Sequence, residues 1–123
     1  MPPLRAAIFE KELEIIGSLH RAGVTMVAGT DQAVPGFSLY RELELYVQAG
    51  FTPIEAIQAA TSVPARVMRL DQDLGTVEVG KIADLIILGK NPVESISNIR
   101  SVERVVANGA LYETAPLWRS VGF

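Results

Sequence analysis

The sequence has 123 residues, 49% of them apolar and 20% charged, with a formal net charge of −3 and no cysteine. That is the size of one ordinary domain with a modest core, and it excludes disulfides and thiolate metal sites. No basic stripe argues for nucleic acid or an anionic membrane surface as partner. The apolar runs are too short to span a bilayer and no leader-like segment opens the chain, so the expected location is the cytoplasm.

Residues 8–21 place Ile8, Leu13, Ile15, Ile16 and Leu19 on a helical stripe, and Gly23 suits the C-terminal cap. "VTMVA" at 24–28 follows as a short apolar run without alternation, the pattern of a strand covered on both faces. It runs into Gly29-Thr30-Asp31 and a loop to residue 37. "SLYRELELYVQAG" then predicts a helix over 38–50, with Leu39, Leu43, Tyr46 and Val47 on one face.

Thr52, Pro53 and Glu55 spell an N-cap, a first-turn proline and a capping box. Ser62 and Pro64 repeat that logic for the next short helix. From residue 71 the texture changes. Gly75 and Gly80 mark turns, "ADLIIL" is an apolar strand, and Asn108-Gly109 between β-rich flanks is a hairpin signal.

Asp31 stands where an α/β sheet presents functional groups, after a strand and before a loop and helix. Its other readings are a turn aspartate or a cap for the following helix. His20, the sole histidine, lies late in a helix, where a surface or helix-terminal role competes with metal ligation. Glu42 and Glu44 read as a solvated helix face near Arg41, Asp71 and Asp73 as turn residues, and Tyr40 as packing or site-facing. By residue inventory alone, the chain carries one candidate catalytic group and no complete site.

Four stretches together resemble the C-terminal end of a metal-dependent amidohydrolase: "AGVTMVAGTD", "SLYRELELYVQAGFTPIEAIQAATSVPARVMRL", "LGTVEVGKIADLIIL" and "NPVESISNIRSVERVVANG". They cover roughly residues 12–113, in the manner of the imidazolonepropionase-like and Xaa-Pro dipeptidase-like branch. The resemblance implies an α/β fold: the C-terminal fragment of a (β/α)8 barrel followed by part of a small β-sandwich. Residues 24–28 would be the last barrel strand and 38–69 the closing helices. The implied organisation is a barrel end at 1–70, sandwich strands at 71–115 and a tail at 116–123.

The resemblance also implies a role for Asp31, which matches the aspartate at the end of the eighth strand. There it meets a divalent metal, zinc by expectation, and its bound water, acting as general base and then general acid in C–N bond hydrolysis. The substrate would be a small amide, cyclic amide or dipeptide. A whole barrel needs about 250 residues, and the family's paired histidines, bridging lysine and later metal-binding histidines have no counterpart in this sequence. Tyr40 also stands where this branch often has a histidine. The sequence is thus expected to be part of a larger enzyme, inactive alone and binding no metal stably. Exposed strand edges would drive self-association or association with the rest of the barrel. The alternative is a non-catalytic remnant or assembly module.

Overall fold

Local signals set the helical half of the computed structural model, which describes residues 3–31, 34, 36–120 and 122. α1 (Pro3–Arg21) ends in Gly23 at φ 80°, a conformation that costs glycine little, and the amides of Gly23 and Val24 turn back onto the carbonyls of His20 and Leu19. α2 (Phe37–Gln48) buries Leu43 and Tyr46. α3 (Pro53–Ala59) carries the full capping box: the Thr52 hydroxyl accepts from the Glu55 amide at 3.3 Å, and the Glu55 carboxylate accepts from the Thr52 amide at 2.7 Å.

α4 (Ser62–Val67) begins one residue earlier than its sequence signal, with Thr61 rather than Ser62 at the N-cap. Thr61 supplies no side-chain cap, because its hydroxyl donates back to the Ile57 carbonyl at the end of α3. The expected apolar stripe of α1 also divides. Leu13 and Ile16 are half-buried, whereas Ile8, Ile15 and Leu19 stay exposed.

The second half is a three-stranded antiparallel sheet in the order β1 (Leu85–Leu88), β2 (Val102–Ala107), β3 (Ala110–Glu113). Leu85 pairs with Val106 and Ile86 with Val105, and a bulge falls between Ile87 and Leu88. β2 and β3 close on Asn108-Gly109, whose φ values of 48° and 80° suit a tight hairpin turn. Asp84 accepts the Asn108 amide at 2.6 Å and so ties the turn to the base of β1. Between β1 and β2 runs a 3-10 helix (Ile96–Arg100) that the residue pattern did not announce. α5 (Thr114–Ser120) follows the sheet.

Ile96 and Ile99 of that 3-10 helix join Leu43, Tyr46, Phe51, Ala56 and Ala59 in one core cluster, with Leu88, Ile16, Met26 and Ala28 against it. The two halves of the chain therefore share a core. An aromatic stack runs through it: Tyr46 lies on Phe51 at 4.8 Å between centroids and Phe51 on His20 at 3.7 Å. Residues 24–28 form no strand ladder. Their backbone is held instead by the helices, with the Ala28 amide donating to the Ala59 carbonyl at 2.8 Å. A strand needs a neighbour at hydrogen-bonding distance, and the described residues offer this segment none.

Candidate functional site

The segment ending in Asp31 is positioned by α2 and α3. The Gly29 amide donates to Glu42 Oε1 at 2.9 Å. The Tyr46 hydroxyl lies 3.0 Å from the Val27 carbonyl and 3.1 Å from the same Glu42 oxygen. A phenol has one proton to give, so it serves these two acceptors by turns. Burial pushes the Tyr46 phenol up to about 12, helped by the adjacent Glu42 charge and its hydrogen bond. Glu42 Oε2 is buried and without a hydrogen-bond partner among the described residues.

Asp31 itself is exposed and sits at φ 43°, a left-handed conformation that aspartate tolerates better than most residues. The N-cap of α2 is Gly36, with no side-chain cap bond, so Asp31 does not cap that helix. Its carboxylate follows a segment in which the Ala28 and Gly29 amides and the Val27 carbonyl are hydrogen-bonded to the helices. That arrangement leaves it available to solvent and to whatever approaches the end of the segment.

His20 is not brought into that site. Its ring stacks on Phe51, and its Nε2 lies 3.5 Å from Glu55, whose carboxyl is held below its ordinary value chiefly by the Thr52 amide. His20, Phe51, Glu55 and Arg66 instead line a separate cleft of about 420 Å³. Among the described residues, no group of three or more His, Asp or Glu side chains comes together as a metal site.

The solvated-face reading fails for both glutamates of α2. Glu44, with a side chain only 11% exposed, takes the Arg100 guanidinium in two bonds of 2.7 and 3.0 Å. That guanidinium holds its carboxyl below the usual range. Arg100 also lies over the Tyr40 ring at 5.8 Å, so Tyr40 is engaged in packing. Burial raises the Tyr40 phenol, partly offset by Arg100. Asp71 and Asp73 are turn residues as expected; their carbonyls accept Lys81 Nζ and the Ile82 amide. Glu42 lies one turn before Tyr46 on α2, but its partner Gly29 is 13 residues away, and no local pattern signals that tie.

These observations gain context from comparison with known proteins. The sequence model of the amidohydrolase family matches residues 2–111, and the chain belongs to that family. The family is generally metal-dependent. The ochratoxinase of Aspergillus niger is 36% identical over 112 residues, which cover 87% of this chain and 23% of that protein. A more distant relative, the imidazolonepropionase of Aeromonas hydrophila, is 28% identical over 102 residues, covering 80% of this chain and 25% of that one. Among solved structures, a Xaa-Pro dipeptidase with methionine bound in its active site superposes with a TM-score of 0.75 at 35% identity. The superposition covers 82% of this chain and 25% of the dipeptidase. The chain thus spans about a quarter of the length of each of these three proteins.

Proposed function

We propose that the chain is the C-terminal part of a metal-dependent hydrolase acting on C–N bonds of small amides, cyclic amides or dipeptides, with Asp31 as its general base and acid. The observation that carries this is the placement of Asp31. It is an exposed carboxylate at the end of a segment locked by Glu42, Tyr46 and Ala59, in a chain of the amidohydrolase family. The named activity of the Xaa-Pro dipeptidase supports the bond type.

In the proposed chemistry the Asp31 carboxylate takes a proton from water as its oxygen adds to the substrate carbonyl carbon. It then gives that proton to the departing nitrogen as the C–N bond breaks. The described residues do not form a metal site by themselves: one exposed carboxylate is too few ligands, and His20 is engaged elsewhere. Metal binding, with zinc as the expected ion, therefore requires ligands beyond these residues. Completion by the remainder of the barrel, or self-association of this chain, follows from the same incompleteness. In the second reading, which the missing ligand set favours, the chain is an assembly module without catalysis of its own.

The test is to purify the native assembly through a tag on this chain and assay it against dipeptides, N-acyl amino acids and cyclic amides. Hydrolysis is expected, reduced by about 10³-fold in Asp31→Asn. Hydrolysis that survives Asp31→Asn unchanged removes Asp31 from the reaction. An assembly that cleaves none of these substrates leaves the module reading.

A further inference from the structure

We propose that Glu42 is the positioning residue of the Asp31 turn, fixing the backbone from which that carboxylate projects. The inference rests on Asp31 being the reactive group. Glu42 Oε1 receives the Gly29 amide at 2.9 Å, two residues before Asp31, and shares the Tyr46 hydroxyl with the Val27 carbonyl. Glu42 Oε1 thus holds the Gly29 end of the 27–29 backbone to α2, while Tyr46 on the same helix reaches the Val27 end.

This tie bridges 13 residues of sequence. It also replaces a strand ladder, since residues 24–28 have no strand neighbour among those described. The second oxygen makes the choice of residue informative. Oε2 is buried and unpartnered among the described residues, and an unsatisfied charged oxygen costs stability. An apolar side chain would avoid that cost, and it would release Gly29. A charged acceptor binds a backbone amide more strongly than a neutral one, so the carboxylate serves the turn at the expense of the fold.

The test is amide NMR of this chain. In Glu42→Gln the acceptor becomes neutral, and the Gly29 amide is expected to move upfield and exchange about tenfold faster. Asp31 resonances should shift with it, while those of Ile96 and Ile99, elsewhere in the core, hold still. Unchanged Gly29 shift and exchange in that variant overturn the proposal. If Glu42→Gln fails to fold, the parent chain decides the matter: its Gly29 amide should be protected from exchange and lie downfield, and both should persist in Asp31→Asn, where the neighbouring carboxylate is gone. A Gly29 amide in the parent chain that exchanges as fast as an unbonded loop amide overturns the proposal. These readouts concern the backbone tie alone, so they are independent of whether Asp31→Asn abolishes hydrolysis. In the active assembly, Glu42→Gln should lower kcat about tenfold with KM held, a partial loss beside that of Asp31→Asn. An unchanged kcat also counts against the positioning role.

Discussion

Glu44 and Arg100 face each other in a two-pronged ion pair, 2.7 and 3.0 Å, across 56 residues of sequence. The pair joins the middle of α2 to the end of the 3-10 helix, and so fastens the helical half to the sheet-bearing half beside the shared Ile96 and Ile99 core. Arg41 reaches the same carboxylate from within α2 at 3.4 Å.

A pH dependence follows from this pair. The Arg100 bonds hold the Glu44 carboxyl below its ordinary value of 4.5, so the folded chain binds the proton more weakly than the unfolded one. The stabilisation is therefore complete above the unfolded value and is lost as pH falls through the folded one. Arg100→Met should cost about 1 kcal/mol near neutral pH, given that the guanidinium is partly exposed, and almost nothing in strong acid. Urea midpoints of the two proteins across acid pH check this. Midpoints separated by the same amount at all pH values would show that Arg100 acts by packing on Tyr40 instead.

A second prediction concerns close backbone approach. A β-carbon at Gly17 would overlap the carbonyl oxygen of Ala49, at the C-terminal end of α2. Alanine gains about 1 kcal/mol over glycine inside a helix, while forcing extra volume into a tight contact costs about 1–3 kcal/mol. Contact with backbone has no side-chain rotamer to relieve it, so the overlap wins. Gly17→Ala should lose about 1 kcal/mol net, measured by urea unfolding. A more stable variant would mean that α1 can lift away from α2 freely.

How far the sequence discloses the structure depends on where each partner lies. The Thr52–Glu55 capping box and the Asn108-Gly109 turn are complete within a few residues, and both form as read. The 3-10 helix and the burial of Glu44 depend on contacts made across half the chain, which no local pattern encodes. The 24–28 run has the composition of a covered strand. A ladder, however, is a property of two segments, and the described residues contain only one. Asp31 was legible as a candidate from its position after that run. The Glu42 tie that holds its turn was hidden, because a glutamate in a charged helical stretch looks like solvated surface.

Tyr46 supplies a third prediction, at the alkaline end. Its phenol is raised to about 12 by burial first and by Glu42 second. A raised folded value means that its contribution is fully present below the unfolded value of 10.0 and is lost as pH climbs through the folded one. The chain should therefore lose stability on the alkaline side, with the last phenolate absorbance appearing together with unfolding. Tyr46→Phe should flatten that fall while costing about 1 kcal/mol at neutral pH, for the lost bond to Val27 or Glu42. A phenolate signal from Tyr46 near its ordinary value, in a chain still folded, would contradict the burial seen here.

The exposed apolar surface leads to the last prediction. Ile8, Ile15 and Leu19 of α1 are 50%, 52% and 41% exposed, and Val24 and Val27 of the unpaired segment 47% and 42%. Met68, Val77 and Ile82 also border an apolar groove of about 970 Å³ between the short helices and the sheet. Apolar surface gathered on a single chain in this way is ordinarily covered by something, and burying each such side chain is worth about 1.5–3 kcal/mol. Without the remainder of the barrel, copies of the chain are the available cover. Sedimentation of the purified chain should show species larger than a monomer that grow with concentration. Ile15→Lys together with Val27→Lys should shift the distribution towards monomer with no change in the far-UV spectrum. A parent chain that stays monomeric with well-dispersed amides would mean that the helical half tolerates its exposed faces, and that completion by a partner is not required for solubility.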